Sequence, residues 1–338
     1  MISVLKRIIQ TKYFFTASFL IIGGVIWGTN PRVIQSKGPI FGTHYTVTVV
    51  ASRLALSQRA LDQLVQSELQ RINAIFSTYS EHSDIITINQ AKTTNPIAVS
   101  NELHVFFKRS MAWFHRLNGA WDPTMGRISQ FYGLQPSIKP MNKNHALDNI
   151  GFNNLQILPN MLIQKKIDGL TFDFSSNAKG YAVDQVMDVI LNHSVVGVFI
   201  DIGGEIRTHG HNGRGMTWRV GIQSPIFHSQ PLAIIEGHDM AMASSGNYLN
   251  HADGVGHILD PRTGGPISHD LLAVTVMADT CFDADTIATG IFVMGKEEAT
   301  SWLKQHTEYP AMLAIKEKDQ GLMVLYFNGF EDKKIRMQ

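Results

Sequence analysis

The sequence predicts a mixed α+β domain, in which helices and sheet segments are interspersed, and three observations carry that prediction. Two stretches in the first third repeat apolar residues at three- and four-residue spacing, which gives a helix one apolar face. Short runs rich in β-branched residues recur later, separated by glycine, proline and asparagine turns. Helical and extended segments alternate with no regular βαβ period and no internal repeat, so nothing points to a barrel or a doubly wound sheet.

The elements follow in order. Lys6, Arg7 and Lys12 precede the uncharged run Tyr13–Trp27, YFFTASFLIIGGVIW, and the breaker-rich stretch Gly28–Pro31. This is the pattern of an export signal. The run is shorter than the roughly 20 residues that usually span a bilayer. No small-x-small cleavage site stands out just after Trp27, and no cysteine follows for lipid attachment. An uncleaved signal anchor with a short linker is therefore expected over residues 1–35, the alternative being a soluble periplasmic form after cleavage. Basic residues before the run favour a cytoplasmic N-terminus, with residues 36–338 as one domain on the periplasmic side of a bacterial inner membrane.

Tyr45–Val50, YTVTVV, reads as a strand. Leu61, Leu64, Val65, Leu69, Ile72, Ile75 and Phe76 form the stripe of a first helix, and Leu103, Phe106, Phe107, Trp113, Phe114 and Leu117 that of a second, capped by Ser100. Leu155–Leu158 and Gly169–Phe174 are extended candidates ahead of a helix near Ala178–Leu191. Gly197–Ile202, Trp218–Ile222, Leu232–Ile235, Asp239–Ala243 and Leu271–Met277 read as further strands, and Asp283–Gly295 as a late helix.

Composition bounds the function. A chain of 338 residues, 44% hydrophobic, can bury a substantial core. A formal charge of +1 leaves no field of the kind nucleic acid requires, so no nucleic-acid partner is expected. The single cysteine, Cys281, excludes an internal disulfide and any multi-cysteine zinc or iron–sulfur site within one chain.

Chemistry gathers at element boundaries. On a helix Asp285 and Thr289, four residues apart, leave the same face, a hard-oxygen pair in an otherwise apolar element. Magnesium is one reason for such a pair; helix capping by Asp283 or Asp285, with back-bonding by Thr289, is the other. Asp173–Gly180, DFSSNAKG, can offer hydroxyls, amides and the Lys179 ammonium to phosphate, or be a capped helix with an exposed lysine. Gly203 and Gly204 fit a tight turn or the close approach of a planar ligand. Trp121, beside Asp122 and Pro123, is either a ring platform or a buried anchor for a loop. In Gly256–Gly264, GHILDPRTG, His257 suits proton transfer, while Arg262 suits a phosphate or a structural salt bridge with Asp260. HExxH, GxSxG, GxxxxGK[ST] and GxGxxG are all absent.

In order along the chain, Gly42-Thr43 with Tyr45, FSTY at 76–79, AWDPT at 120–124, DFSSNAKGYAV at 173–183, DIGG at 201–204, SSGNY at 244–248, HILDPRTG at 257–264 and Ala284–Gly295 together resemble the FAD:protein FMN transferases, the ApbE family of flavin transferases. The resemblance implies that family's α+β fold, with residues 36–338 as the catalytic domain. It implies Mg²⁺-dependent transfer of FMN from FAD to a threonine or serine hydroxyl of an acceptor redox protein, with release of AMP. It puts metal ligation on Asp285, Thr289 and an oxygen of the AKG junction, Ala178 or alternatively Ser176. Flavin contacts fall on Phe41, Tyr79, Ala120, Trp121, Asp122, Asp173 and Lys179, with Ser244, Asn247 and Arg262 among the binding residues. Asp285 and His257 are the expected catalytic residues, His257 as the base for the hydroxyl.

The pattern also departs from the family. Gly256 stands where many members have a first histidine, Phe41 where methionine is common, and DFSS where DLGG is frequent. Two other activities fit the same residues: an FAD pyrophosphatase yielding FMN and AMP, and a non-catalytic FAD-binding protein.

Overall fold

The computed structural model describes residues 31–135, 143–226, 230–246, 251–252, 255–256, 258–317 and 321–335. The run expected to anchor the chain, Tyr13–Trp27, lies outside them. Among the described residues no helix is long and apolar enough to cross a membrane.

The chain builds an eight-stranded sheet: β1 (Arg32–Ile40), β2 (Thr43–Ala51), β3 (Val195–Ile202), β4 (Glu205–Gly210), β5 (Met240–Gly246), β6 (Leu271–Ala278), β7 (Ala311–Lys316) and β8 (Leu322–Phe327). Spatial order equals chain order, and every neighbouring pair is antiparallel. Long excursions leave this meander between β2 and β3 and between β6 and β7. They supply the helices α1 (Gln58–Phe76), α2 (Asp84–Gln90), α3 (Asn101–Arg116), α4 (Gly126–Phe131), α5 (Lys143–Leu147), α6 (Ala178–Leu191) and α7 (Cys281–Gln305).

Helices α1, α6 and α7 pack side by side against the sheet, α1 on β1, α6 on β3 and β4, and α7 on β5 and β6. Their starts are written in the sequence: Ser57, Ser100 and Thr280 side chains accept from the backbone amides of Ala60, Leu103 and Asp283 and cap α1, α3 and α7. A second apolar cluster joins Val50, Ile206, Met242, Met277 and Met312 to Trp218, Val220 and Ile235 of a hairpin formed by Trp218–Gln223 and Pro231–Gly237. Both faces of the sheet are thus covered, one by helices and one by this hairpin.

One expected strand is absent. Gly169–Phe174 runs without a strand partner. The side-chain amide of Asn89 takes the partner's place, accepting from Phe172 N at 2.7 Å and donating to Phe172 O at 2.9 Å. Phe172 and Phe174 are then free to enter the core as side chains. Capping of the late helix also differs from the expectation that Asp283 or Asp285 caps it and Thr289 back-bonds. Thr280 is the cap, Asp283 is held by Arg109 and Trp113, and Thr286, one turn in, is the residue that back-bonds, to Phe282 O at 2.8 Å.

Candidate functional site

The site is set by how closely α6 and α7 begin. A Cβ on Gly180 would lie 2.4 Å from the Cys281 carbonyl oxygen and 2.8 Å from Asp285 Cβ, so only glycine allows this approach. Each helix then sends a carboxylate to the other's first turn, where unpaired amides concentrate positive potential. Asp184 of α6 accepts from Cys281 N at 3.0 Å and Phe282 N at 2.9 Å, and from Arg207 Nη1 at 2.8 Å. Asp285 of α7 accepts from Gly180 N at 3.0 Å through Oδ2; its other oxygen has no hydrogen bond among the described residues.

Thr289 follows one turn later on the same face. Its hydroxyl lies 3.1 Å from Ser245 Oγ and 3.5 Å from the Ser176 carbonyl oxygen. A carboxylate, a hydroxyl and a main-chain carbonyl therefore share one wall. Among the described residues no three or more His, Cys, Asp or Glu side chains are grouped to hold a metal, so any metal held here would rest on this mixed oxygen set.

Lys179 faces Glu205, with Nζ 2.6 Å from Oε1. Glu205 is 1% exposed, and its Oε2 has no partner among the described residues. Burial pushes the carboxyls of Asp285 and Glu205 upward; the nearby Glu205 charge adds to the rise at Asp285, and Lys179 opposes it at both. Burial works against the Lys179 charge, but Glu205 and Asp285 outweigh it and raise that group. Asp201, also pushed up by burial, holds Gly204 N at 2.9 Å and so fixes the Gly203–Gly204 turn between β3 and β4.

These groups open onto one cleft of about 1290 Å³, above the roughly 300–1,000 Å³ of pockets for drug-sized ligands. Phe41, Tyr79, Ala120, Trp121, Asp122, Asp173, Ala178, Lys179, Ser244, Asp285 and Thr289 all line it. Expected residues from five separate motifs, together with Phe41, thus meet in one place. Phe41 occupies the β1–β2 turn at φ 49°, ahead of Gly42 at φ 73°, a backbone that favours glycine and asparagine. Tyr79 is 72% exposed at the cleft, its hydroxyl donating to Leu134 O at 3.2 Å. Trp121 is an anchor, buried and donating from Nε1 to Ser176 Oγ at 2.9 Å. Asp122 is spent internally on Thr124 N, Thr124 Oγ1 and Phe152 N. Asp173 accepts from Ser175 N and Ser129 Oγ, both at 3.0 Å, and Ser244 Oγ lies 2.9 Å from Thr275 Oγ1.

Arg262 does not join them. Its guanidinium is engaged by Asp260 at 3.0 Å and Glu298 at 2.8 Å, the salt-bridge reading of that motif, and Pro261 rather than Arg262 lines the cleft. Asn247 and His257 lie outside the described residues. Glu205, Asp201 and Asp184 were not among the expected residues. The carboxylate directly after Gly203-Gly204 was the available signal for Glu205, whereas Asp184 is bonded to residues 97 and 98 positions away and had none.

Fold and cleft define an α+β protein built around one large cleft, part of whose wall is made of hard oxygens. More specifically, the chain belongs to the ApbE family, whose model matches residues 41–313. It is 32% identical to an FAD:protein FMN transferase of Vibrio cholerae over 299 residues, covering 85% of this chain and 88% of that protein. A Haemophilus influenzae FAD:protein FMN transferase is 32% identical over 324 residues, covering 89% and 91%. Among solved structures, the flavin transferase ApbE from Vibrio cholerae superposes with a TM-score of 0.82 at 29% identity, covering 90% of this chain and 99% of that one. The apo form of Pseudomonas stutzeri flavinyl transferase ApbE gives 0.80 at 26% identity, with 90% and 97% covered.

Proposed function

We infer that this chain is an FAD:protein FMN transferase that moves FMN from FAD to a threonine or serine hydroxyl of an acceptor redox protein, with Mg²⁺ as cofactor and AMP as leaving group. The acceptor oxygen bonds to the FMN phosphorus, the bond from that phosphorus to the bridging diphosphate oxygen breaks, and the hydroxyl proton passes to a base. FMN ends as a phosphoester and AMP departs with the bridging oxygen. The observation carrying this reading is the convergence of Asp285, Thr289, Lys179 and the ring-bearing residues Phe41 and Tyr79 on one cleft of dinucleotide scale.

Asp285, Thr289 and a carbonyl of Ala178 or Ser176 would hold Mg²⁺, and their donor set fits: all are hard oxygens, and Asp285 keeps one oxygen free of hydrogen bonds among the described residues. Bound there, the ion supplies charge neutralisation at the diphosphate and at the transferring phosphoryl group. Lys179 adds a fixed positive charge beside it, Tyr79 an exposed ring for stacking, and His257 is the assigned base. The N-terminal segment holds the enzyme at the periplasmic face of the inner membrane, where exported acceptors pass.

The test is intact-mass analysis of a panel of exported flavin-dependent electron-transfer proteins incubated with the enzyme, FAD and Mg²⁺. An FMN-phosphoester increment that vanishes without Mg²⁺ is expected, and His257→Ala should slow its appearance while FAD affinity is kept. Steady conversion of FAD to FMN and AMP with no labelled protein would replace transfer by hydrolysis.

A further inference from the structure

The hairpin strand Trp218–Gln223 meets the cleft in an unusual way. Its side chains alternate, with Trp218, Val220 and Ile222 buried and Arg219, Gly221 and Gln223 exposed. Yet four consecutive residues, Val220 to Gln223, line the cleft. Residues of both faces can do so only if the cleft runs along the strand's edge, where the main chain is presented.

That edge is open. Among the described residues Trp218–Gln223 pairs with Pro231–Gly237 alone. The far edge of Pro231–Gly237 is already taken, because Ile335 N donates to Ile234 O at 3.0 Å and Ile235 bridges Lys334. This fixes the direction of the main-chain groups. In an antiparallel pair, directly opposed residues either exchange both bonds or both point away. Ile234 sends its carbonyl away from Gly221, its opposed residue, so Gly221 must send its N–H and C=O away from Ile234, into the cleft.

The identity of residue 221 agrees. Glycine within a strand marks close approach of a ligand or another backbone. Nothing among the described residues requires glycine here: its φ is not in the left-handed region, and a Cβ would meet only Pro231 Cβ, at 3.6 Å, an ordinary contact.

Resting on the transferase reading above, we propose that the acceptor segment docks as an added β-strand on the open edge of Trp218–Gln223, paired through the main-chain N–H and C=O of Gly221. The site is continuous with the cleft into which the acceptor hydroxyl must enter. Four residues of edge span roughly 10 Å, enough to align an extended segment on both sides of the reacting threonine. Main-chain pairing takes affinity from the backbone and leaves side-chain identity loosely specified, which suits an enzyme reading an extended segment of another protein.

The probe is a short synthetic peptide spanning the labelled threonine of the best acceptor in the panel, N-methylated at one backbone position at a time. Docking as a strand predicts that labelling falls at every second position, the period of an edge pairing. On the enzyme, Gly221→Pro removes the outward N–H while remaining compatible with an edge strand. It should raise KM for the peptide about tenfold, the effect of one or two lost hydrogen bonds, with KM for FAD unchanged. Gly221→Ala keeps the N–H but adds a Cβ where the acceptor backbone approaches, so it should raise KM for the peptide by less than Gly221→Pro does, again with KM for FAD unchanged. Labelling insensitive to N-methylation, or losses with no alternation, overturns the docking mode and leaves transfer standing, as does a rise in KM for FAD equal to that for peptide. No labelling of any acceptor by the wild type overturns the transferase reading and the docking with it.

Discussion

Asp184 and Asp285 are near mirror images in position, each a buried carboxylate of one helix bonded to the first turn of the other, yet they are used in opposite ways. Asp184 spends both oxygens on two amides and a guanidinium. Asp285 spends one on Gly180 and turns toward the cleft, where its neighbours are another carboxylate, Glu205, and Lys179. A fully satisfied buried charge holds the structure together, whereas an incompletely satisfied one costs stability and is kept for a ligand. The same contrast separates Asp122, with three donors inside the protein, from Glu205, whose Oε2 has none among the described residues.

The largest expected effect tests that contrast at Asp285. Asp285→Asn keeps an oxygen for Gly180 N and removes the buried charge, so Mg²⁺-dependent labelling should fall about a hundredfold or more. The metal-free protein should meanwhile be at least as stable to urea as wild type, since burial and Glu205 disfavour the Asp285 charge. Asp184→Asn should do the reverse. It breaks a buried pair with Arg207 and should cost about 3 kcal/mol of unfolding free energy, with labelling per folded molecule within a few-fold of wild type. A variant of Asp184 that folds normally but fails to bind Mg²⁺ would erase the distinction.

Lys165 sharpens it further, as a buried cation satisfied wholly by backbone. Its ammonium donates to Ile88 O at 2.8 Å, Ala91 O at 2.7 Å and Leu170 O at 3.3 Å, closing the C-terminal end of α2. Lys165→Met leaves those carbonyls without their donor and should cost about 2 kcal/mol. Burial also brings the Lys165 ammonium down to about 8. The unfolded chain, with an ordinary lysine near 10.4, then holds more protons between those values, so this group's contribution to stability rises with pH across that window and is lost as pH falls through 8. Urea unfolding of wild type and Lys165→Met should therefore diverge between pH 8 and about 10; convergence would mean that the buried ammonium is not destabilised.

The smallest effect is expected at Arg262. Its bonds to Asp260 and Glu298 are partly exposed, so Arg262→Ala should change stability by less than about 1 kcal/mol and leave FAD affinity, followed by flavin fluorescence, unchanged. A large loss of FAD affinity would return Arg262 to the binding site.

Helices α1, α3, α6 and the first half of α7, and strands β2, β3, β5 and β6, were legible because their signals are local, whereas strands β1, β4, β7 and β8 and the short helices α2, α4 and α5 were not read. Helix α6 was read near its observed bounds, and the Ser100 cap and both amphipathic stripes came from spacing alone. Gly169–Phe174 was misread because what replaces its strand partner is one side chain, Asn89, some 83 positions away. In the site, the spacing of Asp285 and Thr289 was enough to place both on one helix face, and both line the cleft. Their partners were not legible, since Asp184 and Glu205 acquire meaning only when α6 meets α7 and β4. Arg262 shows a related limit: a sequence shows which groups a guanidinium could hold, and in the fold it pairs with Asp260 and Glu298.

The most direct test of the reserved-carboxylate account is the shift in thermal midpoint on adding Mg²⁺ to wild type, Asp184→Asn and Asp285→Asn. A ligand that binds the folded state raises the midpoint in proportion to its occupancy. Wild type and Asp184→Asn should both shift upward, with Asp285→Asn starting no lower than wild type and not shifting. An equal Mg²⁺-induced rise in Asp285→Asn would contradict the account.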